Sequence, residues 1–91
     1  MRYMKQIIIE SERMTNQAAA ENYLKELLEI ASPDQPDLDA IYMRVMSIKE
    51  ETEISISDSD LLIDYLGRYG LGLVKLFRDA ASESDFIHFT F

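Results

Sequence analysis

The chain has no cysteine, a single histidine, nine basic residues against seventeen acidic ones, and no long apolar run. Each shortage excludes something. Without cysteine there is no disulfide framework, no thiol nucleophile and no thiolate metal site. Small secreted domains often depend on disulfides, so a reducing, cytoplasmic setting is the expectation. Arg2 and Lys5 are followed only by Ile7-Ile8-Ile9 before Glu10, too short a run for a signal-peptide core. No stretch approaches the ~18 apolar residues of a membrane span, so no membrane partner is expected. The shortage of bases leaves a formal net charge of -8. Phosphate backbones repel such a chain, so nucleic acid is not an expected ligand. A basic protein would instead be attracted to it, and would meet it faster at low salt.

What is present suits one globular domain over residues 1–91, with hydrophobic residues at 47% and charged residues at 29%. No repeat, linker or low-complexity tract divides it. Ile7-Ile8-Ile9 is β-branched and reads as a strand buried on both faces. From about Thr15 to Ile30, Ala20, Tyr23, Leu24, Leu27 and Leu28 recur at helical spacing. Pro33 and Pro36 then break the pattern. A second helix is predicted from about Asp37 to Ser47, with Leu38, Ile41, Tyr42 and Val45 as its core stripe. Asp37 and Asp39 sit near the positive end of its dipole. Ile54-Ser55-Ile56-Ser57 alternates as a half-buried strand. Asp58, Ser59 and Asp60 supply capping chemistry for a further apolar stripe running from Leu62 to Ala80. Gly67, Gly70 and Gly72 divide that stripe into two helices, with a bend near Tyr69 to Leu71. Phe86 to Phe91 closes the chain as an aromatic strand. Helical crossovers between strands require parallel pairing. The expected fold is therefore α/β: a three-stranded parallel β-sheet packed by about four helices.

Enzyme chemistry finds little support. His88 lies in the last strand among aromatics, and no nucleophile-elbow sequence surrounds any serine. The three glycines lack the lysine and the preceding strand of a phosphate loop. Asp34, Asp37 and Asp39 lack the central glycine and terminal glutamate of a calcium loop. No catalytic residue, no metal site and no cofactor is expected. A hydrolase using converging carboxylates remains as a third reading that only a structure can test. Asp39, Met43 and Met46 fall on one flank of the second helix beside Tyr42. Methionine and tyrosine suit an interface core, and methionine adapts its shape to a partner; the alternative is that Tyr42 and Met46 belong to the core. In the last helix, Asp79 and Glu83 share one face and matter for binding only if they lie beside Asp39.

The order of these elements is similar to that of the barstar family, intracellular inhibitors of barnase-type secreted ribonucleases. Leu38-Asp39-Ala40-Ile41-Tyr42 resembles the family's asparagine-leucine-aspartate-alanine-leucine-tryptophan segment. Leu73-Val74-Lys75-Leu76-Phe77-Arg78-Asp79-Ala80 resembles its valine-leucine-glutamine-valine-phenylalanine-arginine-glutamate-alanine segment. The likeness extends over nearly the whole chain. It implies an immunity protein, monomeric when free, that blocks a basic nuclease toxin with an acidic helix-and-loop surface. The partner-binding residues it implies are Pro33, Asp37, Asp39, Tyr42, Met43, Met46, Asp79 and Glu83. Two of these depart from the family: Pro33 replaces an interface tyrosine, and Met43 replaces the principal active-site aspartate. The alternative is a protein-interaction or regulatory module of the same fold with no nuclease target.

Overall fold

In the computed structural model, which describes residues 4–31 and 35–90, the elements run β1 (Lys5–Glu10), α1 (Gln17–Leu27), α2 (Leu38–Met46), β2 (Thr52–Ser57), α3 (Ser59–Leu66), α4 (Arg68–Glu83) and β3 (Ile87–Thr90). A 3₁₀ turn at Ser11–Arg13 links β1 to α1. The sheet order is β1-β2-β3 with both pairings parallel, so the expected three-stranded parallel sheet with four helices is what forms.

Register explains the core. Ile7 stands beside Ile54, and Ile54 beside Phe89; Ile9 stands beside Ile56. These side chains share one face, and Ile7, Ile9, Ile54, Ile56 and Ile87 are all buried. Leu24 of α1, Ile41 and Val45 of α2, Leu62 of α3, and Leu73 and Phe77 of α4 complete the same cluster. Phe77 stacks on Phe89 at 5.7 Å between ring centroids, a geometry that adds to simple area burial.

The other face of the sheet behaves differently from the expectation for β1. Ile8 is 56% exposed, and Gln6, Glu53, Ser55 and His88 on that face also keep contact with solvent. Successive side chains of a strand point to opposite faces, so only Ile7 and Ile9 reach the core. The apolar triplet is thus a half-buried strand, not one buried on both faces.

Helix boundaries follow local chemistry. Asn16 caps α1 by accepting from Ala19 N at 2.8 Å, and Asp37 caps α2 by accepting from Ala40 N at the same distance. At the end of α1, Ile30 N donates to Lys25 O and Glu29 N donates to Glu26 O. That pair of bonds is a Schellman closure, and it puts Glu29 at φ 55° where glycine is usual. The α3–α4 junction sits at Gly67 rather than near Tyr69 to Leu71. Gly67 adopts φ 56° and ψ -124°, a conformation that side chains with a Cβ rarely reach. Gly70 lies inside α4, where an added Cβ would come within 2.9 Å of Leu62 O. It lets α3 and α4 approach closely, which outweighs its low helix propensity.

Candidate functional site

The N-terminal half of α2 is held between α1 and α4. Its buried stripe, Ile41 and Val45, joins the core cluster. That leaves Asp39, Ala40 and Met43 pointing outward, with Met43 71% exposed. Tyr42 and Leu38 are half-buried against the core and turn towards α4.

Between α2 and α4 runs a shallow groove of about 250 Å³ lined by Leu38, Asp39, Tyr42, Lys75, Leu76 and Asp79. Asp39 and Asp79, forty positions apart in sequence, therefore share one wall system. That is the arrangement under which the α4 acid becomes relevant to Asp39. Lys75 is the one base among the described residues lining this groove and offsets part of its negative charge.

A second depression, about 290 Å³, opens on the other side of Leu38 and Asp39 and is lined also by Gln17, Glu21, Asp37 and Tyr69. Sequence reasoning missed Glu21 and Tyr69. Neither has a signal of its own in the sequence: Glu21 is one acid among seventeen, and Tyr69 falls at the expected helix bend. The Tyr69 hydroxyl is buried without a hydrogen-bond partner among the described residues. Burial, then the negative charges of Glu21 and Asp37, push the phenol up to about 12 from its usual 10. Three carboxylates thus line this depression, with no base among its described lining residues. Asp37 has a local duty as well, since its Oδ1 holds the first turn of α2.

The remaining expected residues sit as follows. Met46 is half-buried against the core, so it contributes less outward surface than Met43. Glu83 is exposed at the last residue of α4, a turn beyond Asp79, and does not line either acidic groove. Pro33 lies outside the described residues.

A third groove, about 440 Å³, lies on the α1 side of α2 and is lined by Glu29, Ile30, Ala31, Ala40, Met43 and Arg44. The Arg44 guanidinium is tied down there: Nε donates to Leu28 O at 2.7 Å and one terminal nitrogen donates to Ser47 Oγ at 2.9 Å.

His88 Nε2 lies 2.7 Å from Glu51 Oε2 on the open face of the sheet, a satisfied ring in a strand. Among the described residues no group of three or more histidine, aspartate or glutamate side chains is placed to hold a metal ion, and no helix is long and apolar enough to cross a membrane. No protein-family model matches the chain, and no curated protein is significantly similar to it.

Proposed function

We propose that this chain is an inhibitor of the barstar type, which binds a small basic nuclease and covers its active site with the acidic surface built on α2 and α4. The observation that carries the reading is the meeting of Asp39, Tyr42 and Asp79 in one groove. A basic active site is shaped to receive the negative charges of RNA. Carboxylates set at the rim of an aromatic, partly apolar groove can take those places without offering a bond to cleave. Glu21 and Asp37 widen the acidic field around Asp39, and the net charge of -8 steers a cationic partner towards it.

The test uses a barnase-type ribonuclease as the probe. Its RNA cleavage is followed with increasing amounts of the chain, and binding is measured by calorimetry at low and at physiological salt. Stoichiometric inhibition that weakens with salt is expected. Asp39→Ala and Asp79→Ala should each weaken binding about tenfold or more, roughly 1.4 kcal/mol, with unchanged melting temperatures. Full RNA cleavage in the presence of excess chain, with no salt-dependent binding, would overturn the nuclease assignment.

One observation favours a second reading, in which the same surface serves a protein-interaction or regulatory module with a basic target that is not a nuclease. Met43 occupies the outward position on α2 and is 71% exposed. It offers a partner an adaptable apolar contact and no charge to set against a phosphate-binding site. Binding of the ribonuclease that left its active site open to RNA would favour this reading.

A further inference from the structure

We infer that the partner straddles α2, placing a cationic side chain on the Asp39 side of the helix and an apolar side chain against a shelf on the Met43 side. The inference rests on the acidic-surface reading and goes beyond it. The contact would recognise a lysine or arginine paired with a nearby aliphatic or aromatic residue, and positive charge alone would not suffice.

Four observations support it. First, Asp39 and Met43 are one helical turn apart, so they form a continuous crest about 5.4 Å long on the outside of α2. Asp39 borders the two acidic depressions, and Met43 borders the α1-side groove.

Second, charge is distributed unequally across that crest. The depressions bordered by Asp39 carry Glu21, Asp37, Asp39 and Asp79 against Lys75. Among the described residues, the groove bordered by Met43 carries one acid and one base, Glu29 and Arg44. A cation is favoured on the first side and gains nothing on the second, where Arg44 already sits. This asymmetry sets which way round a mixed basic and apolar segment lies.

Third, the Met43 side offers apolar walls with little net charge among its described residues. Ile30, Ala31, Ala40 and Met43 make its walls, and the groove is larger than either acidic depression. Met43 is the most exposed large hydrophobic side chain among the described residues. The shelf is also held in shape. The Schellman closure fixes Ile30, and the bond from Arg44 to Leu28 O joins the end of α1 to α2. A preformed shelf avoids ordering penalties on binding.

Fourth, charge disfavours a second copy as the occupant. Each chain carries -8, and apposing two α2 crests would bring Asp39 and Asp79 of one copy against those of the other. A basic protein meets no such repulsion.

The experiment titrates the ¹⁵N-labelled chain at low salt with four synthetic peptides of equal length. In these, two positions with one residue between them carry lysine and leucine, lysine and alanine, alanine and leucine, or glutamate and leucine. In an extended peptide such side chains share a side about 7 Å apart, comparable with the offset of Asp39 and Met43. The lysine–leucine peptide is expected to shift the backbone amides around Asp39 and Asp79 and also those of Ala31, Ala40 and Met43. It should bind about tenfold more tightly than the lysine–alanine peptide. Met43→Ala should remove that tenfold gain while leaving lysine–alanine binding and the melting temperature unchanged, and Met43→Leu should retain it. Equal binding of the two lysine peptides, with shifts confined to Asp39 and Asp79, overturns the shelf and leaves the acidic surface standing. Equal binding of the glutamate–leucine and lysine–leucine peptides overturns the acidic surface itself. No response to any of the four overturns both.

Discussion

Arg44 donates through Nε to the backbone carbonyl of Leu28 at 2.7 Å, and so joins the helix that carries the candidate site to the end of the helix before it. The bond is partly buried, and its donor is charged. A second guanidinium nitrogen reaches Ser47 Oγ at 2.9 Å. The fork shape of arginine allows both bonds at once.

Arg44→Ala should therefore lower stability by about 1.5–3 kcal/mol, the range for hydrogen bonds to charged groups. In a domain of this size that corresponds to roughly 6 °C or more in melting temperature. Arg44→Lys should recover only part of it, because an ammonium on a flexible stem cannot reproduce both contacts in fixed geometry. A thermal melt followed by circular dichroism decides between these outcomes.

Two backbone positions should respond in opposite directions. Glu29 holds φ 55° at the end of α1, where a side chain with a Cβ is strained by about 1 kcal/mol. Glu29→Gly should raise stability by roughly that amount. Gly67 holds φ 56° with ψ -124° between α3 and α4, and Gly67→Ala should lower stability by about 1–3 kcal/mol. Urea titrations of both variants give the two signs directly, and an unchanged midpoint for either would remove the strain argument at that position.

Tyr69 predicts an alkaline signature. Its phenol is raised to about 12 in the folded chain, against about 10 when unfolded. Below pH 10 both states keep the proton. Between 10 and 12 the unfolded chain loses it and the folded chain does not, so stability falls as pH rises through this window. Tyr69→Phe lacks this contribution and also removes a buried hydroxyl that has no partner among the described residues. The variant should be at least as stable as the parent at neutral pH, and its advantage should widen from pH 10 to 12. A constant difference across that range would show that Tyr69 titrates normally.

Tyr23 guards an edge of the sheet. β1 is an outer strand, and the Tyr23 hydroxyl accepts from Glu10 N at 3.0 Å and donates to Ile8 O at 3.5 Å. Its ring is covered by the Arg13 guanidinium, 5.1 Å from the centroid. Unpaired edge groups invite strand addition from another chain. Tyr23→Phe should expose them and produce concentration-dependent self-association. Sedimentation at high salt, where repulsion between chains of charge -8 is screened, is the sensitive condition. A variant that stays monomeric there would show that the edge needs no hydroxyl.

The hydrophobic spacing carried the element order, the parallel sheet and most of the core, because burial depends on which residues recur every two or every three to four positions. Leu24, Ile41, Val45, Leu73 and Phe77 were all legible in that way. Ile8 was not, since a run of three β-branched residues carries no sign of whether one or both faces of its strand are covered. The helix junction at Gly67 was legible as a cluster of glycines but not as one position, because only the backbone angles separate a junction glycine from a close-packing one.

For the candidate site the division is sharper. Residue type and helical spacing by themselves determined that Asp39, Met43 and Met46 share one flank of a helix beside Tyr42, and that the whole chain is strongly acidic. Only the tertiary structure decided that Asp79 joins Asp39 in one groove while Glu83 does not, that Met46 turns towards the core, and that Glu21 and Tyr69 stand beside Asp37. Local periodicity acts within a helix. The approach of α1 and α4 to α2 depends on how three helices share one face of the sheet, and no spacing along the chain encodes that distance.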